Sequence, residues 1–322
     1  MSTSSRQFSS SFEYQQLENA RSFGARMISE SVEQFGVIEV LCPFKRHRSG
    51  HTGHEFGGGN QAILQAVSLQ RGYTEPVWTP QHLIEQAGGR LKKGEEKNHT
   101  RIISGKQAFK WEDKVDQEGK PVLNPETGKP EQVRKFFGEP HFFPLKVFNL
   151  AQTEDYQPTR SEITPGAPGL PVAVQSVWDA VKMSLPRTEP GDRLAYDMSS
   201  DRLLVPPREV FKDNRPATNA AFHLSERLAF AAGHPSRLDL PDFYDQGRLA
   251  AEKASVGVST NVAAAMLMQN HCSRFDPAMV ELTGVAQAKN LAQSLRDKEI
   301  DVHLAVAQGQ KLYRYMVAGV KV

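Results

Sequence analysis

Apolar residues recur at helical spacing between Phe12 and Phe35, where Leu17, Ala20, Phe23, Met27, Ile28 and Val32 share one face. That period predicts an amphipathic helix. Residues 1 to about 12 are Ser-rich and are expected to form a disordered tail. The short apolar run Val37 to Leu41 suits a strand. Lys45 to Asn60 is basic and Gly-rich, a mobile loop by composition. Ile63, Leu64 and Val67 mark a short helix over Gln61–Gln70, ended by Gly72. Thr79 to Ala87 predicts another helix, with Thr79 as N-cap, Pro80 in the first turn and Gly88 and Gly89 after it. Arg101–Phe109 and Phe142–Leu150 suit strands. The charged stretch Trp111–Lys135 between them suits a surface hairpin.

The second half has a different pattern. Asp155 to Pro171 is rich in Pro, Gly, Ser and Thr and predicts a linker. Beyond it, Val172–Met183, Asn214–Ala232, Gly247–Met268, Pro277–Asp297 and Ile300–Val317 carry helical patterns, with a short strand at Leu203–Val205. The expected class is α+β: an α+β domain over 13–154, the linker over 155–171, and a mainly helical domain over 172–322.

Charge changes the picture locally. The 322 residues carry a net charge of only +2. From Leu41 to Lys110, however, eleven Lys and Arg face five acids, a local excess of +6. Cys42 and Cys272 lie far apart without CxxC spacing, which argues against a disulfide framework or a zinc knuckle. There is no apolar signal segment and no run approaching the roughly 18 apolar residues of a membrane span. A soluble cytoplasmic protein without membrane association is expected.

Single-stranded DNA is held by a basic groove combined with aromatic platforms. Phe44, Phe56, Tyr73, Trp78 and Phe109 are interleaved with the bases of the first half, and Gly57 to Gly59 would let backbone N–H groups approach a phosphate. The opposing reading, in which the aromatics are core and the lysines a solvated face, stays open.

The order of residues adds a resemblance. Gly59-Asn60, Leu64, Arg71-Gly72-Tyr73, Pro76, Trp78-Thr79, Gln81, Gly88-Gly89 and Lys92-Lys93-Gly94-Glu95 are followed by Val147-Phe148-Asn149 and Gln152-Thr153. Over about Phe44 to Glu154 this series resembles the N-terminal domain of the ArdC antirestriction family, shared with TraC-type primases of conjugative plasmids. The resemblance implies single-stranded DNA as partner. Lys92 and Lys93 are the first candidates for phosphate contact, followed by Arg46, Arg48 and Arg90, with Tyr73 and Trp78 as candidate stacking platforms. Trp78 is equally a candidate core anchor, and Asn60 a cap.

In the second half, Ala195-Tyr196, Asp201, Leu203 and Pro206, then Gly233-His234-Pro235-Ser236-Arg237-Leu238-Asp239, Tyr244 and Glu252, resemble the zincin-like domain of the same family. There a helix carries H-E-x-x-H: two His bind the metal and the Glu activates water. The corresponding residues here are Glu226-Arg227-Leu228-Ala229-Phe230. Phe has no lone pair for a metal, and a guanidinium is neither general base nor cation ligand. No catalytic residue, no metal and no cofactor are therefore expected, and the domain is expected to be a pseudoenzyme. Two alternatives stay open: a rearranged metal site from His223, Glu226, His234 and Glu252, and a protein-docking module in the former cleft.

Overall fold

The computed structural model describes residues 4–41, 46–114, 120–123, 128–159, 174–206, 214–245, 250–272, 280, 282, 288–297 and 299–320. The fold is α+β, as expected. It divides into two compact units, Met1–Arg21 with Arg101–Leu145 and Ser22–Thr100 with Lys146–Val322. The second unit thus gathers residues from both sides of the expected linker, whose residues 160–171 lie outside the described ones.

The first unit is built mainly from a long two-stranded ribbon. Strand β4 (Thr100–Asp113) and strand β5 (Gln132–Asn149) are neighbours. The hydrogen bonds Lys114 N to Glu131 O and Glu131 N to Val122 O, each 2.7 Å, continue the pairing beyond the strand β4 end. The expected surface hairpin is therefore present, and its strands reach into the charged stretch. The apolar side chains Phe109, Trp111, Leu123, Val133, Phe137 and Phe142 are all exposed.

Helix α1 (Ser4–Phe35) is longer than its periodic part. The expected tail over 1–12 is corrected from Ser4 onward. Each Ser costs only about half a kcal/mol relative to Ala, and extending an existing helix avoids the unfavourable nucleation step. Ala20, Met27, Ile28 and Val32 are buried.

In the second unit, Val37–Leu41 forms helix α2 rather than a strand. Four of its five residues, all but Glu39, are buried against helix α3 (Gly59–Arg71) and helix α8 (Ala250–His271). An apolar run this short has no periodicity to separate the two forms. The expected loop Lys45–Asn60 holds strand β1 (Arg48–Ser49), parallel to strand β2 (Val77–Thr79), which in turn pairs antiparallel with Phe148 and Asn149. Helix α3 ends as expected on Gly72, at φ 68°, whose N–H bonds Ser68 O. Helix α4 (Gln81–Gln86) starts after Pro80 without a side-chain cap. Thr79 is not the cap: it lies in β2, and its hydroxyl meets the Tyr156 hydroxyl at 3.1 Å.

The helical half contains α5 (Val174–Ala180), α6 (Asn214–Ala232), α7 (Pro241–Tyr244), α8, α9 (Ala288–Arg296) and α10 (Val302–Ala318). Helix α8 packs against α5, α6, α7 and α10. It is buried almost continuously from Val258 to Met268, which explains why its pattern shows no polar face. Cys272, just past its end, is a buried free thiol, and Cys42 lies outside the described residues. Gly309 lets α10 approach closely, since a Cβ there would fall 2.6 Å from Val262. Asp301 caps α10 by accepting from His303 N at 2.9 Å and Leu304 N at 3.1 Å. The strand expected at Leu203–Val205 is the centre of a small sheet whose other strands the sequence pattern missed. Its spatial order is β7 (Arg187–Pro190), β9 (Arg202–Val205) and β8 (Ala195–Asp197). The flanking strands are too short to alternate clearly. Among the described residues no helix is long and apolar enough to cross a membrane.

Candidate functional site

The motif residues of the first half separate into a buried set and an exposed set. Trp78 is fully buried. Its Nε1–H donates to His47 Nδ1 at 2.9 Å, and Tyr73 packs edge-on against it at 5.8 Å. A side chain with no exposed face offers no platform to a base, so Trp78 is the core anchor. His47, though flanked by Arg46 and Arg48, is also buried. Its backbone is held by Gln61: His47 N donates to Oε1 at 2.8 Å, and Gln61 Nε2 donates to His47 O at 2.7 Å. Burial pushes the imidazole pKa down to about 4, against the opposing bond to Gln65.

Other motif residues build turns. The Asn149 side chain accepts from Ala151 N at 2.9 Å and donates to Glu75 O at 2.7 Å. Gln152 accepts from Asn149 N at 2.9 Å and donates to Glu95 Oε2 at 2.7 Å, completing a capping box. Gly89 sits where a Cβ would fall 2.7 Å from Tyr156. Gly59 likewise faces His303, with a Cβ clash at 2.5 Å. Its role is close helix packing against α10 rather than an approach to phosphate. Asn60 is half-buried and has polar partners.

The exposed set is cationic. Arg90 pairs with Glu154 at 2.9 Å and Asp155 at 3.6 Å. Lys92 Nζ donates to Ala151 O at 2.8 Å, while Lys93 is exposed. Arg46 and Arg48 are half-buried, and Arg48 has polar partners. Arg90, Lys92 and Lys93 therefore share one corner, near the pairing of strand β3 (Arg90–Leu91) with strand β6 (Thr153–Glu154). Phe44 lies outside the described residues, and Phe56 is half-buried.

Helix α6 carries Glu226 to Phe230, the residues that the resemblance aligns with a metal motif. Phe230 packs against Tyr196 at 6.1 Å and Phe243 at 5.4 Å. Leu228 and Ala229 are fully buried. His223 Nδ1 meets Glu226 Oε2 at 3.1 Å, one helical turn apart. His234 Nδ1 is instead turned onto its own loop, accepting from Ser236 N at 3.1 Å. Glu252 is exposed in the first turn of α8 and has a partner. Among the described residues no three His, Cys, Asp or Glu gather as a metal-ligand set. At the positions that the resemblance aligns with the metal motif stand an arene and a guanidinium, neither of which offers an electron pair to a cation, and His234 Nδ1 is engaged by its own loop.

A dense polar network lies beside that helix. Arg237 is 2% exposed and forks onto Asp201, with Nη1 to Oδ1 at 2.9 Å and Nη2 to Oδ2 at 3.0 Å. Its Nε donates to Ser184 O at 2.6 Å and Nη1 also reaches Ala231 O at 3.2 Å. Tyr196 donates to Asp201 Oδ1 at 2.7 Å. Desolvation works to raise the Asp201 pKa, but the bonds from Arg237 and Tyr196 hold it below the usual carboxylate value. Burial and the Asp201 carboxylate push the Tyr196 phenol up. Asp201 and Asp239 both adopt left-handed backbone, φ 49° and 53°, which Asp tolerates better than most residues.

Sequence reasoning missed His47, Gln65 and Ser68, which meet along one cleft wall. The alternation Arg46-His47-Arg48 was the sole trace, since a period of two turns the central side chain inward.

Comparison with known proteins agrees with the resemblance in the residue order. Residues 18–140 match the profile of the N-terminal domain of anti-restriction factor ArdC. None of the curated proteins matches the chain. Among solved structures, the metal-free antirestriction ArdC protein from plasmid R388 is similar, with a TM-score of 0.60 and 18% identity, covering 94% of this chain and 99% of that one. Its Mn(II)-bound structure matches with the same TM-score and identity over 92% of this chain and 96% of that one. A segment of the chain, residues 18–140, is thus similar to the N-terminal domain of ArdC, and the chain shares the fold of an ArdC antirestriction protein along nearly its whole length.

Proposed function

We propose that this protein binds single-stranded DNA without strong sequence preference and has no metal-dependent peptidase activity, serving a plasmid or other mobile element in antirestriction or as a conjugation accessory. The ribbon carries the first part. Phe109, Trp111, Phe137 and Phe142 are between 40% and 54% exposed, and large apolar side chains exposed together on one element mark an interaction surface. Phe109 and Trp111 meet edge-to-face at 5.7 Å. Exposed Lys106, Lys110 and Lys135 stand among them, the latter two sharing Glu112. Aromatic faces set among cations are what a flexible strand of phosphates and bases requires. The likeness to ArdC supports the biological setting.

Oligonucleotide affinity should fall steeply with salt, and Lys93→Ala should lower the log–log slope by about 0.7. Trp111→Ala should weaken binding by about 1–3 kcal/mol while leaving that slope in place, because it removes stacking and no charge. Salt-independent affinity, or none at low ionic strength, contradicts the reading.

The second part rests on the donor set of α6. Purified protein should hold no stoichiometric zinc or manganese by elemental analysis. One equivalent of tightly bound metal that is lost in His234→Ala would restore the rearranged-site alternative.

A further inference from the structure

A cleft of about 190 Å³ opens beside α3, lined by His47, Gln65, Ser68, Tyr73, Glu39 and Glu75 among others. Its polar groups have fixed roles. An indole N–H only donates, so the bond from Trp78 Nε1 leaves the lone pair of His47 on Nδ1 and the ring proton on Nε2. Nε2 then donates to Gln65 Oε1 at 2.9 Å. This fixes the amide orientation: Oε1 faces His47, and the Gln65 NH2 group has no partner among the described residues. The low pKa of His47 keeps that arrangement in place at neutral pH.

The second observation is Ser68. It is 6% exposed, lines the cleft, and its Oγ is buried with no hydrogen-bond partner. An unmet buried hydroxyl costs about 1–3 kcal/mol unless a ligand or water meets it. The cleft therefore presents two amide donors, a hydroxyl and an aromatic wall in Tyr73, which is braced by Trp78. Among the described residues no Lys or Arg lines it, and the carboxylates of Glu39 and Glu75 do. Such a lining repels phosphate and accepts hydrogen bonds from an amine.

We propose that this cleft receives one amine-bearing base, adenine or cytosine, of a bound single strand, with the phosphates remaining outside. The inference rests on the reading that the chain binds single-stranded DNA. Gln65 NH2 donates to the ring nitrogen, the adjacent exocyclic amine donates to Ser68 Oγ or a carboxylate, and Tyr73 packs against the ring. Thymine places a ring N–H between two carbonyls and lacks the amine, so it matches this order poorly.

The test is binding of short homopolymers of deoxyadenosine, deoxycytidine and thymidine to the full chain, by fluorescence anisotropy at low salt. The adenine and cytosine polymers should bind about threefold to tenfold more tightly than the thymine polymer, the worth of one hydrogen bond. Ser68→Ala should bring them down to the thymine level. So should Gln65→Glu, which keeps an acceptor for His47 but removes the NH2 donors. Equal affinity for all three polymers, or a preference untouched by both variants, overturns this inference and leaves DNA binding standing. Absence of binding by every polymer overturns both. Saturable spermidine binding that is lost in Ser68→Ala, without any base preference, would assign the cleft to organic cations and overturn the base assignment.

Discussion

Arg237→Ala is expected to lower the unfolding free energy of the full chain by about 3–5 kcal/mol, read as a fall in the urea midpoint. The guanidinium is buried and makes four hydrogen bonds, two to Asp201 and one each to Ser184 O and Ala231 O. Truncation leaves the two carbonyls and the carboxylate without those donors and opens a cavity in the loop that closes α6. The loss comes from stranding the partners rather than from the net worth of the ion pair, which desolvation largely offsets. Asp201→Asn together with Arg237→Met should therefore recover a clear share of the loss, since it removes both charges. Asn at 201 also keeps a residue that tolerates the left-handed backbone. A loss below about 1 kcal/mol for Arg237→Ala would show that the network is peripheral to stability.

The second large effect is acid sensitivity from His47. Its folded pKa of about 4 lies below the ordinary histidine value of 6.5. Between those values the unfolded chain binds a proton that the folded chain refuses. Stability is therefore full above about pH 6.5, declines as pH falls toward 4, and stops changing from this group below that. The difference corresponds to about 3 kcal/mol. The structural cause is direct: a protonated Nδ1 would point its N–H at the N–H of Trp78, and the charge would be buried. His47→Gln should flatten the stability profile across this window, at some cost in stability at neutral pH. Asp201 works at lower pH. Because its folded pKa is depressed, its contribution is present above the ordinary carboxylate value and is lost only as pH falls through the folded value. A profile in which His47→Gln and the native chain keep the same slope between pH 6.5 and 4 would contradict the assignment to His47.

Much of this protein was legible in the residue order. The periodic faces of α1, α3, α6 and α10 mark helices because burial on one side needs only local spacing. Gly72 marks the end of α3 because left-handed backbone excludes most side chains. That the chain contains no H-E-x-x-H is equally local, since it is read from residue types alone. Tertiary structure decided the rest. It made Val37–Leu41 a helix by burying four of its side chains, and it placed His47 in the core from within a basic run. It gave Gly59 a packing role against α10 through His303, a residue far along the chain. It turned Trp78 from a candidate platform into an anchor bonded to His47, and it brought His47, Gln65 and Ser68 to the wall of one cleft. Local pattern records how a segment meets water on average. Which polar atoms meet one another depends on segments distant in the chain, and no single stretch of sequence carries that information.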